Sequence, residues 1–537
     1  MGGLITKNKK MERSYGKEIK VNVKLIDAAA SANTVTNSAG AVNAMLPAVM
    51  SGNGPDVALC ISQTEPVNYA LRGATVDLTQ FSDYKDVLSE YQASSYESYW
   101  LKDKTGHKGL YGLPETENYN VLFYRTDIMD ELGIDATQIN TWDDVIKVLP
   151  KLQKNSMSFA IPSVERKINN ASNPDLANYY AQLVQRGGSL YRDEGIETTI
   201  GSTEGIQAFE FYTKLFTNYK LVKQYDFPNR FRSGEMPIGV ADYSTFNTLS
   251  VFAPEIKGLW NFGMLPGVKQ EDGSINRSVQ SWGTASMMLK GAEQRGKKDI
   301  AWDFLKWWAS ADTQATYARE LEAVMGAAAR YATANNVTFK TLSWSSKESA
   351  ILDEQHKWAF GIPQVAGGYY TERHITNAIR KVMNNNEDPR ETILDYVITI
   401  NKELSNKREE FGLKTLEQEE KETKQIKSKK LERLVGEDAE ITIRELSGKR
   451  YNSLQAMLYD KNGNRDMAAV YDFNLMCCVY GIVEPDLKNE KLMEHFGAST
   501  PKDLAAALFG VESGSIASEI VKLSGLGEDA EEEVKNS

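Results

Sequence analysis

The hydrophobic pattern switches between two periods along most of the chain. Glu18–Ile26 (EIKVNVKLI) puts Ile19, Val21, Val23 and Leu25 at every second position, the signature of a half-buried strand. Ala41–Met50 sets Val42, Met45, Leu46 and Val49 on one helical face, with Pro47 predicting a kink. Ser51-Gly52-Asn53-Gly54-Pro55 stops that helix, since glycine accepts positive φ and proline blocks continuation. The apolar run Asp56–Ile61 then reads as a buried strand. Strand, helix and strand in this order predict a right-handed βαβ unit and a mostly parallel sheet.

Lys104–Tyr124 predicts a Gly-rich hairpin that leads through Leu113-Pro114 to a strand ending in Val121–Tyr124. Thr141 precedes Trp142-Asp143-Asp144 as a helix N-cap, with carboxylates in the first turn where the helix dipole favours them. Helical periods recur at Thr203–Tyr219 and Asp299–Ala309, with short strands such as Pro237–Val240 between them. Alternating α and β over some 400 residues predicts two α/β lobes. Asn401–Lys430 is almost wholly polar and lacks proline, so residues 411–430 read as a charged, partly helical spacer. Beyond Leu431 one alternating strand, Glu440–Leu446, precedes mainly helical patterns and a solvated acidic end.

Composition divides the chain at the same place. Residues 431–537 hold 11 Lys+Arg against 20 Asp+Glu, most of the overall net charge of −11, whereas all nine tryptophans lie between Trp100 and Trp358. Two compositions imply two units, and the absence of a basic surface argues against a nucleic-acid partner. The three cysteines, two of them adjacent, form no disulfide framework. No run reaches the ~18 apolar residues that span a bilayer. The N-terminus lacks a signal-peptide h-region, so the chain as written is expected in the cytoplasm; Gly2 to Thr6 fits a myristoylation pattern common by chance.

Catalytic and cofactor patterns are missing: no GxSxG, HExxH, P-loop or CxxC occurs, and the four histidines are scattered. Asp460–Asp466 departs from a calcium loop in its glycine position and its twelfth residue, and reads as a turn. Neither an enzyme nor a cofactor or metal is expected. The positive signal is a set of polar and aromatic residues at strand ends, where α/β sheets present ligand crevices. A sugar offers an apolar C–H face to aromatics and hydroxyls to carboxylates and amides. The candidates are Gln63, Glu65, Glu117, Asn118, Tyr119, Asp242, Tyr243, Trp282, Tyr369 and Tyr370. For each, a core aromatic or a solvated loop carboxylate is the plainer alternative.

Glu18–Lys407 resembles the bacterial extracellular solute-binding proteins of ABC importers, the maltose-binding-protein-like class. The stretches that carry the likeness are LPAVMSGNGPDVAL (Leu46–Leu59), LRGATVDLTQF (Leu71–Phe81) and GLYGLPETENYNVLFYRTDIMDELGID (Gly109–Asp135) with TWDDV (Thr141–Val145). FRSGEMPIGVADYS (Phe231–Ser244) and AWDFLKWWASADTQATYARE (Ala301–Glu320) follow in order. The resemblance implies a two-lobed α/β, type II periplasmic-binding-protein-like fold with a hinge cleft over residues 1–410. Lobe 1 is expected at about 1–119 and 262–322, lobe 2 at about 120–261 and 323–410. Crossings are expected near Asn118–Asn120, Trp260–Gly283 and Glu322–Gly326. It further implies a sugar or oligosaccharide solute held between the lobes, a membrane permease as partner, and an extracellular, membrane-anchored or periplasmic location. Measured against that family, the chain is expected to start at the end of the first helix and the second strand, and to lack the export signal and one central strand of the first lobe.

Leu431–Leu526 resembles the tail assembly chaperones of contractile-tailed phages, through LERLVGEDAEITIRELSGKRYNSLQ (Leu431–Gln455), YGIVEPDLKNEKLMEHFGASTPKDLAAALF (Tyr480–Phe509) and GSIASEIVKLSGL (Gly514–Leu526). A small, mainly helical α+β domain over 431–537 is implied, with the phage tape-measure protein as partner. The apolar stripes Leu492, Phe496 and Leu504, Leu508 suit either a partner groove or the domain's own core. Three readings follow: a solute binder with an appended phage-type domain, an assembly protein whose front is a non-binding scaffold or fusion product, and a glycan-acting enzyme. The first is favoured for the larger unit.

Overall fold

The computed structural model describes residues 22, 45–168, 171–415, 423–435, 439–446, 451, 454–458, 469–487 and 489–524, and the chain divides into units at Met1–Leu416 and Glu417–Ser537. The strand expected at Glu18–Ile26, the start of the first helix, the myristoylation pattern, most of the loop Asp460–Asp466 and the acidic end lie outside the described residues.

In the larger unit the chain crosses between two hydrophobic cores. Helix α1 (45–50) buries Met45 and Val49 in the first core and is followed by Gly52 at φ +79°, the expected stop. Strands β1 (Val57–Ser62) and β2 (Leu113–Pro114) follow in the same lobe. Strand β3 (Asn118–Arg125) opens the second lobe, leading to α2 (Trp142–Lys154), β4 (Phe159–Ala160), α3 (Ala177–Gln185) and β5 (Tyr191–Arg192). Thr141 caps α2 as expected: its hydroxyl accepts the Asp144 N–H, and the Asp144 carboxylate accepts the Thr141 N–H. The lobe continues with α4 (Thr203–Thr217), β6 (Ile238–Asp242), α5 (Thr245–Phe252), β7 (Trp260–Gly263) and β8 (Val279–Trp282).

The chain then returns to the first lobe as β9 (Thr284–Met288), α6 (Lys298–Ala309) and α7 (Ala311–Met325). It closes in the second lobe with α8 (Ser346–His356), β10 (Ala359–Phe360), α9 (Gly368–Asn385) and α10 (Pro389–Glu410). The first-lobe sheet has the order β1–β9–β2 and both pairings are antiparallel, with Val57 opposite Met288 and Ala285 opposite Pro114. The mostly parallel sheet expected there is not found among the described residues, because the neighbour of β1 is a strand arriving from the other lobe. The second sheet is mixed, in the order β10–β8–β3–β6–β4 with β7 also paired to β3. The first core packs around Tyr69, Tyr99, Leu113, Met287 and Leu305, the second around Phe123, Tyr179, Phe209 and Phe231.

Two expected lobe boundaries move. Phe262, Leu265 and Val279 are buried in the second core, so residues 262–281 belong to the second lobe rather than the first. Ala334 is buried in the first core and Asn335 donates to Glu90 and the Ala309 carbonyl, so residues 323–335 stay with the first lobe. Apolar side chains committed to one core override loop position in each case.

The smaller unit has its own core. Strand β11 (Thr423–Lys427) precedes α11 (Lys429–Val435), β12 (Glu440–Arg444), α12 (Ala469–Gly481) and β13 (Ile482–Glu484), and three helices follow: α13 (Glu490–His495), α14 (Pro501–Phe509) and α15 (Ser513–Leu523). The strands form one antiparallel sheet, β11–β12–β13. The spacer expected at 411–430 is therefore wrong over Thr423–Lys427, which pairs along its whole length with β12. Pro501–Leu523 is long and apolar enough to cross a membrane, contrary to the sequence reading, yet Gly510 at φ +53° breaks it into two helices. Leu504, Leu508, Phe509, Ile516 and Ile520 fill the core from those helices, and Leu492 and Phe496 pack against it. The apolar stripes are the unit's interior.

Candidate functional site

Three segments run side by side where the chain passes between lobes. Residues 114–118 are the middle one, joined to 282–285 by Glu115 N–H to the Thr284 carbonyl (2.9 Å) and by a Thr116–Thr284 hydroxyl contact of 2.9 Å. On the other side Glu117 N–H donates to the Ala332 carbonyl (2.9 Å), and Ala334 N–H to that of Glu115 (3.0 Å). Gly283 is required here: a Cβ would lie 1.8 Å from the Thr116 carbonyl oxygen. Gln63 secures the same residue, its side-chain oxygen accepting the Gly283 N–H at 3.1 Å.

Side chains alternate across the middle segment, as extended backbone dictates. Glu115, Glu117 and Tyr119 share one side. The Glu115 carboxylate, 1% exposed, accepts the Cys60 N–H (2.8 Å), the Trp308 indole N–H (2.6 Å) and the Thr284 hydroxyl (3.3 Å). Burial pushes its pKa up, against the pull of these donors. Glu117 accepts the Ser94 hydroxyl and pairs with His356 Nε2, both at 2.7 Å, and its carbonyl accepts the Tyr243 hydroxyl. Tyr119 stacks on His356 and donates to the Leu352 carbonyl. Glu117, Tyr119 and Tyr243 are buried and bonded inside the protein; they brace the crossing.

The other side is more open. Asn118 donates its amide to Ser244 (3.0 Å), whose hydroxyl donates to Asp242 (2.5 Å), and Asp242 also accepts the N–H of Thr245 at the start of α5. Trp282 lies opposite Asn118 in the sheet register and is half-buried. Seven of the ten candidates therefore converge on the crossing: Gln63, Glu117, Asn118, Tyr119, Asp242, Tyr243 and Trp282. Glu65 is buried in the helix after β1, bonded by Asn68, and burial raises its pKa. Tyr369 and Tyr370 stand elsewhere, at the start of α9, where the Arg373 guanidinium covers both rings.

Sequence reasoning missed several residues at the crossing. Cys60 has a left-handed backbone, φ +54°, beside a bulge in β1, and exposes its side chain. Arg330 spans from the Glu322 carboxylate (3.4 Å) to the face of Trp344 (4.8 Å), while its Nε and Nη1 find no partner among the described residues. The Glu-x-Glu pair at 115 and 117, directly after Pro114, is the sequence signal that could have pointed to the buried acid. Farther from the crossing, Lys108 of the first lobe meets Glu194 of the second at 3.6 Å, and Arg72 meets the Phe411 ring at 5.5 Å. The arrangement can hinge; among the described residues no cluster fit for a metal ion occurs.

Comparison with known proteins agrees with this architecture. Residues 413–536 match the phage XkdN-like tail assembly chaperone proteins. A sugar-binding protein MalE from Xanthomonas citri superposes with a TM-score of 0.60 at 16% identity, over 76% of this chain and 96% of that one. An ABC substrate-binding protein from Listeria monocytogenes, solved with cycloalternan, gives 0.53 at 18% identity over 77% and 96%. The fold of the larger unit is thus the two-lobed, type II periplasmic binding-protein fold, and a small, mainly helical unit follows it in the sequence. An arabinooligosaccharide-binding protein of Halalkalibacterium halodurans is 25% identical over 182 residues, 34% of this chain and 37% of that protein's length. Residues 31–342, more than half of the chain, match the bacterial extracellular solute-binding proteins, and the chain belongs to that family.

Proposed function

We propose that the larger unit binds a sugar or oligosaccharide between its lobes and hands it to the permease of an ABC importer. The observation that carries this reading is the crossing itself, where two cores are joined by three extended segments and carry Asn118, Asp242 and Trp282 on the more open side. Amide, carboxylate and indole together suit hydroxyls and a C–H face. The family membership and the carbohydrate named for the curated relative support the same solute class. A solute touching both lobes stabilises the closed form and shifts the population toward it.

Tryptophan fluorescence during thermal unfolding, with a panel of mono- and oligosaccharides, tests this, because every tryptophan lies in the larger unit. Binding to the native state alone adds about 2.7 kcal/mol at a hundredfold excess over Kd. A melting point indifferent to the whole panel sinks the carbohydrate reading.

A second reading concerns the smaller unit, which has its own core and matches the phage chaperones over nearly all its length. It acts as an assembly or interaction module, with the tape-measure protein as partner. Co-purification of that protein with the full chain tests it, and loss of the partner on deleting residues 417–537 is the expected control.

A further inference from the structure

Arg330 is deeply buried for a charged group and poorly paired. Its side chain is 10% exposed, and the Glu322 carboxylate stands 3.4 Å from its Nη2. Its Nε and Nη1 are buried and meet no acceptor among the described residues. The guanidinium lies 4.8 Å from the ring centre of Trp344, whose own indole N–H is buried without an acceptor as well. Three N–H groups meet at this contact with nothing to receive them. Buried donors are normally bonded, and leaving one unmatched costs its whole desolvation.

The contact lies between the lobes. Glu322 belongs to α7 of the first lobe, and the chain after Arg330 runs beside the middle crossing segment. There Tyr331 donates to the Glu115 carbonyl (3.4 Å) and Thr333 lies opposite Thr116. Trp344 packs against the second core, with its ring 5.0 Å from that of Phe246 on α5 and 6.1 Å from that of Tyr243. Residues 327–329 also pack against α5. Parting the lobes here would let water reach all three donors, whereas keeping them together holds the donors dry. Stacking of the cation on the indole and one long ion pair draw the surfaces together. The unmatched donors, each costing about as much as the stacking contact gains, push them apart.

We propose that Arg330 and Trp344 form a spring between the lobes, a contact made at the expense of its own hydration that shifts the population toward opening. Arg330 is thus a positioning residue. It sets how much of the solute's binding energy is spent on closure. The effect on affinity rests on the carbohydrate reading above; the effect on opening does not.

Hydrogen exchange of the full chain without sugar, read on peptides covering 244–253 and 323–344, tests the spring. Arg330→Met keeps the bulk of the side chain without its donors, and Trp344→Phe keeps an aromatic ring without the N–H. Both are expected to slow exchange in these peptides threefold or more and to leave exchange in α2 unchanged. Affinity for whichever of arabinotriose and maltotriose the parent binds should rise threefold or more in both. Exchange as fast as the parent's, or faster, in either folded variant overturns the spring, because the contact would then be neutral or a clasp. Should Arg330→Met fail to fold, Trp344→Phe decides by the same readings. Slower exchange with unchanged affinity overturns the coupling to the solute. A parent that binds neither sugar counts against the carbohydrate reading, and exchange alone then decides the spring.

Discussion

Trp308, on α6 of the first lobe, donates its indole N–H to the Glu115 carboxylate across 2.6 Å. One buried acid thereby ties that helix, the bulged end of β1 at Cys60 and the strand crossing to a single point. Glu115→Ala strips an acceptor from three donors at once and leaves them unmatched in the interior. A loss of about 2–4 kcal/mol is expected, read by urea unfolding through tryptophan fluorescence, with Glu115→Gln less damaging because its amide oxygen still accepts.

Gly283→Ala tests the crossing from the backbone side. The new methyl group would sit 1.8 Å from the Thr116 carbonyl oxygen, so the segments must part. Overpacking of this kind costs about 3 kcal/mol. A variant with the parent's melting point would show that the crossing is looser than described.

The pair Lys108–Glu194 links the lobes in the open, with both side chains well exposed. Such pairs are worth about 1 kcal/mol at most. Lys108→Ala is therefore expected to change solute affinity by less than about fivefold, and that difference should vanish in high salt.

Glu372 gives stability a pH signature. Its pKa in the folded chain, raised by burial to about 7, lies above the ordinary 4.5, so the folded state holds the proton longer than the unfolded chain does. Its contribution is fully present below the lower value, falls as pH rises through the window and is gone above the upper one. Glu372→Gln does not titrate, so its melting point relative to the parent should climb between pH 4.5 and 7 and then level off.

Much of the architecture was legible from residue pattern, and the reason differs by element. Thr141 was readable as a cap because a hydroxyl followed three residues later by a carboxylate has one local use at a helix start. Val121–Tyr124 was readable as a strand because its residues are apolar without interruption, and they are buried in the middle of the second sheet. Thr423–Lys427 was not readable. It carries one apolar residue, and its place in the sheet comes from backbone pairing with β12, whose Ile441 and Ile443 supply the burial. The candidate residues divide in the same manner: strand-end position put Asn118, Asp242 and Trp282 at the crossing, but nothing local distinguishes a bracing Glu117 from an open one. That distinction is made by Ser94 and His356, distant in sequence.

The strand at Thr423–Lys427 sets where the smaller unit begins. A fragment from Glu417 keeps all three strands, whereas one from Leu431 loses an entire edge and exposes β12. The longer fragment should unfold cooperatively in urea, and the shorter should be markedly less stable and prone to associate through the bared edge. Equal stability of the two would remove β11 from the unit's essential structure.

Between Val279–Trp282 and Thr284–Met288 there is one residue, Gly283, although the two strands serve different cores. A rotation of one lobe against the other has almost no length of chain there in which to spread. It must be concentrated in a few torsion angles, so the motion has an axle rather than a flexible tether. Capture of a solute then becomes, at the level of the backbone, a change that an isotope label on a single glycine could report.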